Sequence, residues 1–139
     1  ENQSQLIFEN PLFGKVHVID GIVQSTELDE YVYQEMLSHV PLLAHGHAKK
    51  VLIIGGGDGG ILREVLKHPL LESVELCTID PVEIEFSKNH LSHLSQGSFD
   101  HPKAHVTIDD GANFVKKCKQ TFDVIIIDST DPNGAATPL

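Results

Sequence analysis

Five aspartates carry the chemistry that this sequence offers, and four of them stand at or just past runs of strand-forming residues. Asp58 lies inside the glycine-rich run 55–60. Asp80 closes Val74–Ile79, Asp110 follows His105–Ile108, Asp128 follows Phe122–Ile127, and Asp131 comes three residues later. Carboxylates take up protons and hold ammonium groups by charge. Gly55, Gly57 and Gly60 fit the G-x-G-x-x-G pattern behind Val51-Leu52-Ile53-Ile54, which by pattern alone signals a dinucleotide. Asp58 argues against that ligand. A pyrophosphate would rest on the helix N-terminus, and this carboxylate would repel it. A ligand with a positive centre would be drawn in, so the loop suits an adenosyl sulfonium better than NAD. In Asp128-Ser129-Thr130-Asp131-Pro132, one acid could accept a proton from an ammonium while the other holds a second ammonium. The plain alternatives are a solvated Asp-Pro turn and, for Asp80 and Asp110, helix caps. Acids at four successive strand ends favour one electronegative site, with Thr78 close by.

The elements that must position these residues follow from periodicity. From Lys49 onward, short apolar runs alternate with helical stretches, which specifies a parallel, doubly wound α/β sheet. Its ligands belong beyond the carboxyl ends of the strands, where strand order reverses. The first helix turns Ile61, Leu62, Val65 and Leu66 inward and stops before Pro69, and Pro81 opens another with Asp80 as its cap. Residues 4–25 alternate like antiparallel strands with a tight Asp20-Gly21 turn. Thr26-x-x-Asp29 resembles a capping box for a helix to about Val40, which Pro41 should end. Val32, Met36 and Val40 form its expected apolar face, with Tyr33 and Leu37 on a neighbouring stripe. The chain starts without Met and offers four parallel strands, so a segment of a longer polypeptide is expected. The first and fourth of those strands are expected to lack neighbours on one side.

The formal net charge is −10, from 20 acidic and 10 basic side chains, which speaks against nucleic acid and is compatible with amines. No apolar stretch is long enough for a membrane span, and no secretory signal is visible. Cys77 and Cys118 read as reduced core thiols, the pattern of a cytoplasmic protein. His45 with His47 and His90 with His93 lack accompanying ligands at metal spacing, so no metal site is expected.

Taken together, Gly21–Glu27, Tyr33-Gln34-Glu35-Met36, Val51–Glu64, Asp110-Gly111 and Asp128–Pro132 resemble the spermidine synthase (aminopropyltransferase) family over nearly the whole chain. The resemblance implies a Rossmann-like domain of the S-adenosylmethionine-dependent methyltransferase type. Residues 1–25 would be part of an N-terminal antiparallel β domain, 26–48 a connecting helix and turn, and 49–139 the first half of the catalytic domain. It implies aminopropyl transfer from decarboxylated S-adenosylmethionine, a co-substrate, to putrescine or a similar diamine, with no prosthetic group, in a homodimer or homotetramer. Asp58 would bind the amino group of the transferred arm within the loop of Gly55, Gly57 and Gly59. Asp110 and Gly111 would read the adenine edge, and Gln3 and Gln34 would line the donor site. Asp128 would deprotonate the attacking amine, assisted by Tyr33 and the Ser129 carbonyl, while Gln24 and Asp131 hold the distal end of the diamine. Two departures stand out. The family's Glu-Ile-Asp triplet, whose glutamate takes the donor ribose, is Thr78-Ile79-Asp80 here, leaving Thr78 and Asp80 to serve. The lid's Gly-Pro-Ala is Gly134-Ala135-Ala136. The alternatives are a putrescine N-methyltransferase and a non-catalytic adenosyl-binding homologue.

Overall fold

Alternating apolar residues near the start of the chain pair into a small sheet. The computed structural model describes residues 4–129; Gln3, Asp131 and the segment 134–136 lie outside them. Strands β1 (Gln5–Asn10), β2 (Gly14–Ile19) and β3 (Ile22–Thr26) form an antiparallel meander. Asp20 and Gly21 both take positive φ, 51° and 80°, as a two-residue hairpin turn requires. His17 pairs with Ser25 and Val18 with Val23, so Gln24 is the extra residue of a β-bulge. Such bulges re-aim a side chain and are common beside active sites.

Helix α1 (Glu30–His45) corrects three expectations. Pro41 does not end it; the helix runs on until Gly46 caps it in the left-handed conformation, its N–H donating to the Leu42 carbonyl at 3.0 Å. Burial of Leu42 in the core holds the last turn in place despite the amide that proline lacks. The inward stripe is Gln34, Ser38 and Leu42, whereas Val32, Met36 and Val40 are each more than half exposed. Nor does Thr26 open it: the N-cap is Asp29, whose side chain makes no cap bond. It accepts instead from the Thr26 hydroxyl at 2.6 Å.

The rest is the alternation expected: β4 (Lys50–Gly55), α2 (Gly60–Leu66), β5 (Ser73–Thr78), α3 (Pro81–His90), α4 (Ser92–Ser95), β6 (Ala104–Ile108), α5 (Gly111–Lys117) and β7 (Val124–Asp128). A short 3₁₀ turn, Ser98–Asp100, precedes β6. The four strands are parallel in the order β6-β5-β4-β7. The first of them is therefore central rather than at an edge, and the described edges are β6 and β7. Asp123 helps set the register, accepting from the N–H groups of Lys49 and Lys50 at 2.8 and 2.9 Å. The core lies between the sheet and the helices, with Val51 and Ile53 of β4 against Ile61, Leu62 and Val65 of α2. Cys77 is buried in β5, but Cys118 is only half-buried at the end of α5, outside the core. No helix of the described residues is long and apolar enough to cross a membrane.

Charge is also buried, which hydrophobic periodicity gave no means to foresee. The Arg63 guanidinium bonds Glu64 at 2.7 Å, Glu30 at 3.1 Å and the Leu94 carbonyl at 2.8 Å. Glu64 is buried and held below the usual carboxylate range by Lys67 and Arg63, which outweigh its desolvation. This network fastens α1 and α4 to α2. That attachment brings the Tyr33-Gln34 pair of α1 to the sheet.

Candidate active site

Strand order reverses between β4 and β7, and the glycine loop leaves the sheet there. Gly55 pairs with Asp128 and has φ +87°; a Cβ on it would collide with the Asp128 carbonyl. Only glycine lets the two strand ends approach so closely. Gly59, at φ +82°, is pressed by Phe99 and Ser95, and its carbonyl accepts from the Ser98 hydroxyl at 3.1 Å. Asp58 sits at the tip of the loop. Its Oδ1 accepts from the Gly60 N–H at 2.8 Å and its Oδ2 from the Gln34 side-chain amide at 3.1 Å. Burial pushes its carboxyl up, against the opposing pull of those two donors. Gln34 is itself buried, and its Oε1 has no hydrogen-bond partner among the described residues.

Asp128 ends β7 one strand away. Its Oδ1 accepts from the Tyr33 hydroxyl at 2.6 Å across 95 residues of sequence. Burial pushes this carboxyl up to about 6; the negative charge of Asp58 adds to the shift and the Tyr33 hydroxyl opposes it. Tyr33 and Gln34 are consecutive on α1, so one helix delivers a partner to each acid. Ser129 follows directly and is exposed.

The remaining expected residues divide. Asp80 is the cap of α3, accepting from the Val82 N–H at 2.8 Å, and Asp110 caps α5 through the Asn113 N–H at 2.9 Å. Gly111 meets the Ile54 side chain where a Cβ would stand, so packing alone requires glycine there. Thr78 is buried at the end of β5. Gln24 is exposed on its bulge, and its side-chain amide donates to the Ile22 carbonyl at 3.2 Å.

One acid escaped the sequence reading. The Glu83 carboxyl is pushed up to about 7 by its burial and by the charges of Asp58, Asp80 and Asp128. Its carboxylate lies where a Cβ on Gly57 would be, and its Oε2 accepts from the Thr78 hydroxyl at 3.5 Å. Nothing in its spacing set it apart from an ordinary first-turn glutamate of α3. Arg63 and His93 act on Asp58 alone of these acids, and burial still leaves its carboxyl raised; carboxylates clustered this closely make a site for a cationic ligand.

Residues 30–139 match the family model of the spermine/spermidine synthase domain. The chain belongs to the spermine/spermidine synthase family. It is 52% identical over all 139 residues to the polyamine aminopropyltransferase of Pectobacterium atrosepticum and 53% identical to that of Shigella flexneri. Two solved family members, each 53% identical, superpose closely. A spermidine synthase in complex with the transition-state analogue AdoDATO gives a TM-score of 0.91 over 97% of this chain and 46% of its own. Spermidine synthase from Thermotoga maritima gives 0.88 over 93% and 45%. The chain thus spans about half the length of the synthases it matches, 48% for the curated relatives.

Proposed function

We propose that the protein transfers an aminopropyl group from decarboxylated S-adenosylmethionine to putrescine or a similar diamine. The observation that carries this reading is the 2.6 Å pairing of Tyr33 with Asp128, beside the Asp58 loop at the reversal of strand order. An alkylammonium with a pKa of about 10 has no free lone pair at neutral pH and cannot attack carbon. Asp128 accepts that proton. The freed amine nitrogen attacks the methylene carbon bound to the sulfonium, a C–N bond forms, and the C–S bond breaks. Its electron pair stays on sulfur, leaving methylthioadenosine, and the proton is passed from Asp128 to solvent. The raised carboxyl of Asp128 makes it a better base than a solvated aspartate while leaving it ionised at pH 7.

Asp58 and Gln34 hold the ammonium of the aminopropyl arm, the buried Gln34 Oε1 being an acceptor that has no donor among the described residues. Placing that arm in line with the attacking nitrogen supplies much of the remaining acceleration. Asp110 and Gly111 read the adenine edge, Gln3 lines the donor site with Gln34, and Gln24 with Asp131 takes the distal ammonium once the Gln24 amide turns from Ile22. A homodimer or homotetramer in the cytoplasm, without a prosthetic group, completes the reading. The polyamine aminopropyltransferases at 52–53% identity and the synthase bound to AdoDATO support it. Methyl transfer is disfavoured because an intact donor would bring its carboxylate against Asp58.

The test is incubation of the full-length protein with the decarboxylated donor and diamines of three to five carbons, followed by mass analysis. The expected products are the aminopropylated diamine and methylthioadenosine in equal amounts. A methylated diamine formed from intact S-adenosylmethionine, with no aminopropyl product, would overturn the assignment.

A further inference from the structure

At the carboxyl ends of the strands, the described acids are engaged by helix caps, amides or hydroxyls, with Glu83 nearly the exception. Glu83 is the third residue of α3, and a glutamate there ordinarily reaches back to the N-cap backbone N–H. Here the side chain turns the other way, over the end of β5. Its Oε2 has only the Thr78 hydroxyl at 3.5 Å, and no hydrogen bond to its Oε1 is made among the described residues. Gly57 supplies the space, since any Cβ there would overlap the Glu83 carboxylate. A half-buried acid facing Asp58, Asp80 and Asp128 without a cation is costly, and such costs collect at ligand sites.

Position narrows the ligand group. In doubly wound sheets, an acid about 20 residues beyond the glycine loop, at the end of the second strand, takes the ribose hydroxyls of the nucleotide. Thr78 occupies that strand end, but it is 3% exposed and has one hydroxyl, already turned to Glu83. Asp80 commits its Oδ1 to the cap of α3. We propose that the Glu83 carboxylate is the acceptor for the donor's ribose hydroxyls, in place of Thr78 and Asp80. The assignment rests on the adenosyl reading above and adds a binding residue that the sequence alone gave to its neighbours. A carboxylate reaching in from α3 restores at this strand end the two acceptor oxygens that a threonine cannot provide.

The experiment compares methylthioadenosine with its 2′,3′-dideoxyribose analogue by calorimetric titration into the full-length protein. The parent should prefer the ribose form by about tenfold or more, the worth of hydrogen bonds to a charged acceptor. Glu83→Gln should shrink that preference below about threefold while the protein still unfolds cooperatively. Glu83→Asp keeps the charge but draws it back by one methylene, and it should also lose most of the preference. Adding Thr78→Glu to the Glu83→Gln protein should restore it. An unchanged preference in Glu83→Gln, or a preference lost only in Asp80→Asn, would overturn the proposal. Failure of the parent to bind either nucleoside would instead overturn the adenosyl reading, and this proposal with it.

Discussion

The Asp58 carboxylate shapes its neighbours, because its charge adds to the burial that raises both Asp128 and Glu83. In the proposed role of Asp128, the sign is that of a base which works only when ionised. With its carboxyl at about 6, kcat/KM should fall as pH drops through that value and reach its plateau toward pH 7. The cluster titrates as a unit, so the limb belongs to the group of acids together. A pH–rate profile flat from pH 5 to 8 would contradict this. Asp58 is placed to meet a charge. Asp58→Asn should therefore weaken the cationic decarboxylated donor about tenfold or more, yet change neutral methylthioadenosine by less than about threefold. Equal losses for both ligands in titration would remove Asp58 from the ammonium. Asp58 and Asp128 were legible because glycines and apolar runs fix where strands end. Glu83 was not, because a helix-start glutamate looks the same whether it caps its own helix or leans across a neighbouring strand.

At the scale of elements, the glycine loop and α1 do the positioning. Gly55→Ala combines positive φ with a collision against the Asp128 carbonyl. It should cost more than about 2 kcal/mol of stability, beyond the ordinary penalty of alanine at positive φ. Denaturant unfolding showing a loss under about 0.5 kcal/mol would contradict that packing. The βα alternation, the bulk of the α2 core face and the hairpin turn at Asp20-Gly21 could be read from spacing alone. The inward face of α1 could not. Its apolar residues spread around the helix, and the stripe that packs is led by the polar Gln34 and Ser38, which bond Asp58 and the Ile61 carbonyl. Pro41 misled for a related reason: a buried Leu42 one residue later outweighs a missing amide. Strand order was equally hidden, since pairing β4 with both β5 and β7 is a tertiary choice that no local pattern records.

Over the whole molecule, burial makes stability a contest between opposite titrations. His17, His68 and His93 are held below their ordinary values by burial, so they add stability as pH rises toward 6.5. Glu83 and Asp128 do the reverse. Their folded forms bind protons more tightly than the unfolded chain, so stability is lost as pH climbs through about 6 and 7. Glu83→Gln isolates one side of the contest. Its gain over the parent should be near zero at pH 4 and reach on the order of 1–3 kcal/mol above pH 7. Thermal unfolding with a pH-independent difference would refute the buried-acid description. The role of Asp128 is tested most directly by single-turnover transfer in full-length Asp128→Asn, with putrescine added to the bound decarboxylated donor and both products quantified by mass. The predicted result is spermidine formation about 10²–10⁴-fold slower than in the parent, with methylthioadenosine affinity nearly unchanged. Transfer within a few-fold of the parent rate would contradict Asp128 as the base.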